Sequence, residues 1–305
     1  MPVPRFPRWA PAVAGASLPW SWFLLRDLGG RLEAVAVALP VLVLVALVVT
    51  ASIAALLREV RLLPAVISLV AFGLVAILGP RLPHTGAPPS VPVRLVTVNV
   101  FFDNAQPAAA METLLASDAD VEIAVETSPE FRALLDARDL AHPYAAQDDQ
   151  LVVRSRYPVT AMADPPDVPA RRILRVTVDA PSEPFVLYAI HALNPLSEST
   201  FASQLEWVDR LRAAAGREAM PVVLAGDFNM SDRQLGYRRL TTDLRDAVTA
   251  AGWGHSTYRH GIWAPLLLRI DHVFVSPQWC SAQARTFELP GSDHDGLEVD
   301  VGSCP

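Results

Sequence analysis

Side chains suited to metal binding and proton transfer follow several short apolar runs in the last two-thirds of the sequence. The clearest case runs from Pro221 to Asn229, PVVLAGDFN, and ends in a glycine, a carboxylate and a carboxamide. The other polar residues at the edges of apolar runs are Asn99, Glu126, His191, Asp271, Asp293 and His294. Mg²⁺ prefers oxygen ligands, and a neutral histidine accepts a proton near pH 7. Each motif alone is also typical of an ordinary turn, but the whole series predicts a catalytic site.

An α/β domain is expected to position these residues. Apolar runs predict strands at 94–100, 121–125, 151–153, 173–178, 185–190, 221–225, 268–275 and 297–301. Helices are predicted at 108–116, from 127 or 128 onward, and at 198–215. Ligands of open α/β folds lie outside the strand ends, so the polar residues can meet in one crevice. An extended backbone would send Asp227 and Asn229 to the same side and Phe228 into the core.

The motifs that carry these residues resemble the endonuclease/exonuclease/phosphatase superfamily, which includes DNase I-like nucleases, sphingomyelinases and inositol-phosphate phosphatases. In the family's order they are TVNV around Asn99, AVETS around Glu126, VVRSRYPV at 152–159, AIHALNP around His191, AGDFN at 225–229, RIDHVFVS at 269–276 and SDHDGLEVDV at 292–301. The combination of GDFN, RIDHVF and SDH makes the resemblance specific. It implies a four-layer α/β/β/α sandwich of two mixed β-sheets and metal-dependent hydrolysis of a phosphoester.

The resemblance implies a metal site for Mg²⁺ or Mn²⁺. Glu126 would bind the ion, with Asn99 beside it and Asp293 as a further ligand. Several nuclease members have a second acidic residue two positions after the asparagine, where this sequence has Phe101. Asp103 is the nearest acidic residue, so the sequence leaves a second metal contact open.

The resemblance also implies the catalytic residues. His294 would act as the general base or stabilise the pentavalent phosphorus, and Asp271 would orient it. Asp227 would position or activate the attacking water. Asn229 and His191 would bind phosphate oxygens, because an amide and an imidazole can hydrogen-bond the charge that develops there.

Three apolar stretches precede this domain and predict a membrane region over residues 1–80. Residues 32–57 and 62–79 are each long and apolar enough for a spanning helix. Residues 9–25 are a third candidate, although two prolines interrupt them, and a signal peptide is the alternative. The sequence therefore predicts two or three transmembrane helices.

The orientation depends on the number of spans. Two arginines precede residues 9–25, and two lie between the stretches 32–57 and 62–79. By the positive-inside rule this places the N-terminus in the cytoplasm. With three spans the C-terminal domain is then extracytoplasmic, as we predict for this multi-pass protein of the cell membrane; with two it stays inside. Cys280 and Cys304 are compatible with one disulfide outside the cell or with two ordinary thiols.

The membrane region bears on the substrate. A Pro-rich linker at 81–91 leads to the predicted catalytic domain at 92–305, and even fully extended it spans only about 40 Å. This layout resembles bacterial membrane proteins associated with resistance to teicoplanin-type glycopeptides, which are thought to act on lipid carriers such as undecaprenyl pyrophosphate. The resemblance implies a lipid-linked phosphoester substrate, and no protein partner is predicted.

Two other functions remain open from the sequence. One is an extracytoplasmic nuclease, but residues 91–305 hold 18 arginines, no lysine and 29 acidic residues, so that 18 − 29 gives a charge of −11. Nucleic-acid-binding proteins usually carry a basic patch, for which the candidates are Arg171 with Arg172 and Arg238 with Arg239. The other function is a binding module that has lost catalysis, which the complete set of polar residues argues against.

Overall fold

The computed structural model describes residues 15–58, 60–83, 87–165, 167–168, 173–195, 197–258 and 261–305. Its strands are β1 (Val93–Asn99), β2 (Val121–Val125), β3 (Tyr144–Asp148), β4 (Leu151–Ser155), β5 (Val159–Ala161), β6 (Ile173–Val178), β7 (Phe185–His191), β8 (Val222–Asp227), β9 (Arg245–Asp246), β10 (Asp271–Val275), β11 (Trp279–Glu288) and β12 (Asp295–Ser303). Its principal helices are α1 (Leu32–Leu57), α2 (Leu63–Gly73), α3 (Pro107–Leu115), α4 (Pro129–Arg138), α5 (Glu198–Ala215), α6 (Leu235–Asp243) and α7 (Ala247–Ala251).

The strands form two six-stranded mixed sheets that lie face to face. The first has the order β11-β12-β1-β2-β4-β3 and the second β5-β6-β7-β8-β10-β9. Within each sheet one central pair is parallel, β1 with β2 and β7 with β8, and the other pairs are antiparallel. Apolar side chains of both sheets, among them Leu95, Ile123, Leu187 and Val223, form a buried core between them.

Helices cover the outer face of each sheet. Buried residues of α3 and α4, including Met111 and Phe131, pack on the first sheet. Residues of α5 and α6, including Val208 and Leu240, pack on the second. Each helix buries one apolar face against a sheet, as layered α/β architectures require. The predicted four-layer sandwich is therefore confirmed.

The predicted strand at 268–275 is too long. Residues Gly261–Leu266 form a 3₁₀ helix, and Leu268 makes only an isolated bridge with Tyr258, so β10 begins at Asp271. Asp271 is therefore the first residue of its strand and does not lie in the middle of it.

Two apolar helices precede the sandwich. α1 and the segment Val60–Arg81, which contains α2, are the helices of the described residues that are long and apolar enough to cross a membrane. They pack antiparallel, with Val43 against Gly73, and α1 leaves apolar side chains such as Leu44 and Val48 exposed.

The third candidate span is only partly described. Residues 9–14 lie outside the described residues, and residues 15–28 form short α and 3₁₀ turns beside α2. The indole of Trp20 donates to Ser68 Oγ at 3.0 Å, and the rings of Phe23 and Phe72 are 5.9 Å apart. These residues accompany α2 without forming one continuous helix.

Candidate active site

One edge of the sandwich gathers the polar residues singled out in the sequence. Asn99, His191 and Asp227 are the last residues of β1, β7 and β8, and Glu126 directly follows β2. β10 and β12 run antiparallel to β8 and β1, so their first residues lie at the same edge. Asp271 is paired with Asp227 in register. The sheet topology thus brings residues separated by nearly 200 positions to one place.

Glu126 and Asp227 converge on the amide of Asn99. Asn99 Nδ2 donates to Glu126 Oε1 and to Asp227 Oδ2, both at 3.0 Å, and His191 Nε2 lies 3.1 Å from Glu126 Oε1. Asn99 Oδ1 accepts from the N–H of Phe101 at 3.0 Å. The amide nitrogen therefore faces the carboxylates, and in this arrangement Asn99 positions the pair.

This carboxylate pair forms a candidate metal site. One ligand atom each from Glu126, His191 and Asp227 lie within 4.8 Å of one another. Burial raises the pKa of Glu126, but hydrogen bonds from His191 and Asn99 outweigh it and lower the pKa to about 2. An ionised carboxylate beside a second one offers the oxygen donors that Mg²⁺ and Mn²⁺ prefer.

A buried histidine lies between two carboxylates in the same place. His294 Nδ1 is 2.8 Å from Asp271 Oδ2, and His294 Nε2 is 3.9 Å from Asp227 Oδ2. Burial lowers the pKa of His294, but Asp271 and Asp227 raise it further, to well above its ordinary value. Burial, together with Asp271, raises the pKa of Asp227, against the effect of His294. The imidazolium form of His294 is thus stabilised by two acids.

A tight turn at the end of β8 shapes the site next to Asp227. Gly226 has φ +138°, and a Cβ there would lie 2.0 Å from the carbonyl oxygen of Ile190. Asn229 has φ +48°, so the expected extended backbone at 227–229 is wrong. Instead, the N–H of Asn229 donates to Asp227 Oδ1 at 2.7 Å, which folds the chain into an Asx-type turn. Phe228 is buried in the core, as expected.

Three polar residues support the site, and two of them, Thr257 and Tyr258, carry no motif signal in the sequence. Thr257 Oγ1 accepts from the backbone N–H of Asp271 at 3.1 Å, and Ser292 Oγ, at the start of the SDH motif, accepts from that of His294 at 3.0 Å. The ring of Tyr258 lies edge-on to His294, 5.0 Å away. Strand bridges and hydrogen bonds across the fold place the loop of Thr257 and Tyr258 here, so spacing along the sequence could not have found it.

The two remaining acidic candidates lie apart from the carboxylate pair. Asp293 lines the cleft but belongs to neither candidate metal cluster at this edge, so its role as a ligand stays a prediction. Asp103 is exposed and also belongs to neither cluster. Phe101 lines the cleft.

The cleft has a volume of about 530 Å³ and a mixed lining. Its polar lining residues include Glu126, His191, Asp227, Asn229, Asp293 and His294. Its apolar lining residues include Val37, Phe101, Leu193, Pro195, Phe201, Leu266, Leu268 and Ile270. Val37 belongs to α1, so an apolar N-terminal helix forms part of the wall.

A second group of buried acids lies away from the cleft. Glu122, Asp139 and His142 are all buried, and His142 Nδ1 is 2.7 Å from Asp139 Oδ1. Neither carboxylate oxygen of Glu122 has a hydrogen-bond partner among the described residues, and burial raises the pKa of Glu122 to about 7. Arg154, paired with Asp139 at 3.8 Å, supplies a positive charge, so this group resembles a structural ion network.

The predicted basic patches are not free surfaces in the described part of the chain. Arg238 pairs with Asp27 at 2.9 Å, and Arg239 pairs with Asp209. Arg171 and Arg172 lie outside the described residues. Arg238 and Arg239 are therefore both ion-paired, and they do not form an unpaired basic patch on the described surface.

Comparisons with known proteins agree with this geometry. A family model described as the endonuclease/exonuclease/phosphatase family matches residues 96–294. An endonuclease/exonuclease/phosphatase from Beutenbergia cavernae is 21% identical with a TM-score of 0.53, and 70% of this chain and 72% of that chain are covered. A humanised TDP2 from D. rerio is 18% identical with a TM-score of 0.56, covering 70% of this chain and 99% of that one.

A third solved structure contains DNA. The 3′ phosphatase NExo from Neisseria, bound to a product DNA hairpin, is 19% identical with a TM-score of 0.50, covering 68% of this chain and 98% of that chain. No match was found among curated proteins. Identities this low show a shared fold alone. The family model, however, matches more than half of the chain, and its match includes every candidate site residue from Asn99 to His294. The chain belongs to the endonuclease/exonuclease/phosphatase family.

Proposed function

We propose that the protein is a membrane-anchored phosphoester hydrolase that uses Mg²⁺ or Mn²⁺ and acts on a lipid-linked phosphate, with undecaprenyl pyrophosphate as the first candidate. The observation that carries the proposal is the position of Val37. This residue of an apolar helix lines the same cleft as Glu126, Asp227 and His294. Hydrolytic residues and a candidate membrane helix thus share one cavity.

The polar side of the cleft suits attack of water on a phosphoester. The raised pKa of His294 keeps it protonated near pH 7, so Nε2 can donate to a phosphate oxygen and stabilise its developing charge. Asp227, 3.9 Å away, is then the group that orients the water and takes its proton. Asn229 and His191 line the cleft beside it, and Asn229 Nδ2 holds Asp227 in place by donating to Asp227 Oδ2 at 3.2 Å and to the carbonyl of Ala192 at 3.0 Å.

The resident cation has a fitting site in Glu126 and Asp227, with His191 as the third donor. When bound, a divalent cation would draw charge from the phosphate oxygens and help the leaving oxygen depart. Asn99 holds both carboxylates towards the same point.

The catalytic domain is tied to the first turns of α1. Pro40 has no N–H, so the carbonyl of Ala36 lacks its partner within the helix. Arg233 Nε donates to that carbonyl at 3.0 Å. Glu33 is buried and accepts from the N–H of Leu235, at the start of α6, at 3.1 Å. Both contacts come from the segment that follows the GDFN motif, so the helix is coupled to the catalytic loop.

In the proposed arrangement, this attachment would bring the cleft near the membrane surface. Val37 is five residues into α1, which corresponds to about 8 Å along the helix axis. α1 and α2 together expose apolar side chains over most of their length, a surface that lipid would cover. A substrate could then keep its chain in the bilayer while its phosphate reaches Asp227.

The cysteine pair supports an extracytoplasmic site. Cys280 and Cys304 form a disulfide that joins the second residue of β11 to the residue after β12. Disulfides persist mainly in oxidising compartments. An outward-facing domain requires a third span before α1, and residues 15–28 run along α2 in the direction such a span would take.

The test presents the full-length protein, reconstituted in nanodiscs, with undecaprenyl pyrophosphate, a sphingomyelin-like lipid and plasmid DNA, each with and without EDTA. We expect phosphate release from the prenyl lipid that EDTA abolishes. Val37→Glu should slow this reaction but leave hydrolysis of the water-soluble p-nitrophenyl phosphate unchanged, with Val37→Leu as the matched control.

Other outcomes would contradict the proposal. Turnover of DNA alone would establish a nuclease, and binding of the lipid without turnover of any substrate would establish a binding module. A cytoplasmic signal from a reporter fused after Pro305 would refute the outward orientation.

A further inference from the structure

A second cavity lies where the N-terminal helices meet the catalytic domain. Its volume is about 700 Å³, and none of its lining residues lines the active-site cleft. Trp22, Val75, Ala76 and Gly79 form its N-terminal wall, and α6 with the following residues forms the opposite wall. We call it the junction cavity.

The junction cavity concentrates positive charge in a domain that is otherwise acidic. Its arginines are Arg26, Arg233, Arg238 and Arg245, and its acids are Asp232 and Asp246. Both acids are already engaged by arginines behind the wall: Asp232 by Arg81 at 2.8 Å, and Asp246 by Arg269 at 2.7 Å. Arg238 pairs with Asp27 at 2.9 Å and Arg233 with Asp232 at 3.4 Å, so Arg26 and Arg245 are the two lining arginines without an ion pair among the described residues.

Two of these guanidinium groups have unfilled hydrogen-bonding capacity within the described part of the chain. Arg233 is not one of them, because its donors already reach Asp232 and four backbone carbonyls. Arg26 Nε is buried and has no hydrogen-bond partner among the described residues, while its guanidinium lies 4.9 Å above the ring of Phe23. Arg245 Nη1 makes only long contacts, to a backbone carbonyl at 3.4 Å and to the sulfur of Cys304 at 3.6 Å. A ligand with several acceptor oxygens would satisfy these donors.

The surroundings of the cavity indicate the kind of ligand. Val75 and Gly79 lie at the end of the second apolar helix, and next to the cavity Leu74 and Val75 are about half exposed. Arginine binds phosphate through paired, charge-assisted hydrogen bonds, and basic pockets beside transmembrane helices bind lipid headgroups.

We propose that the junction cavity binds the phosphate headgroup of an anionic bilayer phospholipid whose acyl chains lie along α2. The inference rests on the membrane anchoring in the proposed function but not on its hydrolase activity. A free phosphate shares the headgroup's charge, so the test separates the two sources.

The experiment measures binding of phosphatidylglycerol, phosphatidylcholine and inorganic phosphate to the full-length protein in detergent, by native mass spectrometry and by the shift in Tm. We expect one phosphatidylglycerol to remain bound and to raise the Tm, with little effect of the other two. Arg26→Gln combined with Arg245→Gln should weaken this binding at least about tenfold, because the loss of even one of the two charged contacts accounts for that factor.

The matched control is Arg31→Gln, because Arg31 is exposed, pairs with Glu198 outside the cavity and does not line it. Its phosphatidylglycerol binding should equal that of the wild type. Equal binding of phosphatidylcholine, tighter binding of free phosphate, or unchanged binding by the double variant would overturn the inference. Activity on p-nitrophenyl phosphate is measured in parallel; an inactive protein that still binds phosphatidylglycerol would refute the hydrolase and leave this site standing.

Discussion

Asp271→Asn tests how His294 is held in its charged form. The bond between His294 Nδ1 and Asp271 Oδ2 is 2.8 Å, within the range of charge-assisted hydrogen bonds, and Asp271 is the larger of the two acids that raise the pKa of His294. Asparagine keeps the shape but removes the charge, which costs about 1.5–3 kcal/mol. If that stabilisation is needed in the transition state, kcat falls by about 10- to 150-fold.

The assay is Mg²⁺-dependent phosphate release as a function of pH, by the wild type and by Asp271→Asn. Because the carboxylate raises the pKa of His294, its removal should move the limb of the profile that requires protonated His294 to lower pH. Asp300→Asn is the control, since Asp300 is a buried, ion-paired carboxylate remote from the cleft. An unchanged rate and an unmoved profile in Asp271→Asn would refute the reasoning.

Three further predictions concern stability, each measured as the Tm of the full-length protein in detergent. The pKa of Glu122 is about 7 when folded, above its ordinary 4.5, so wild-type stability falls as pH rises between these values; Glu122→Gln should add up to about 3 kcal/mol at pH 8 and nothing at pH 4. Gly226→Ala should prevent folding, because its Cβ would meet the carbonyl of Ile190, and a normal melt would disprove the strained turn. Asp232→Asn should lower the free energy of unfolding by about 3–5 kcal/mol, because it leaves the buried guanidinium groups of Arg81 and Arg269 without this carboxylate partner. A loss below about 1 kcal/mol would contradict this.

The layered fold could be predicted because its central strands are unbroken apolar runs. β2 and β6 have the predicted bounds, and both are largely buried. The sequence gives little sign of β3 and β11, whose residues are mostly polar or exposed. β11 also contains a register shift between Ala282 and Arg285, which breaks the alternation that would reveal a strand.

The site was predictable in its residue types but not in its local geometry. Glu126, His191 and His294 lie where the motif order implies, because each follows or precedes a central strand. The turn at Asn229 was not foreseen, because its positive φ is stabilised by hydrogen bonds to Asp227, Ala192 and Gln204 that depend on the folded structure. Contacts across the fold, such as Val37 in the cleft wall, leave no local pattern in the sequence.

The most direct measurement is Mn²⁺ binding, followed by EPR, together with phosphate release in the wild type, Glu126→Gln and Glu122→Gln. The two glutamates lie four residues apart, on β2 and just after it, but only Glu126 faces the cleft. We predict one bound Mn²⁺ and full activity in the wild type and Glu122→Gln, and loss of both in Glu126→Gln. Wild-type binding and turnover in Glu126→Gln, or loss of the ion in Glu122→Gln, would contradict a catalytic cation at this edge of the sheets.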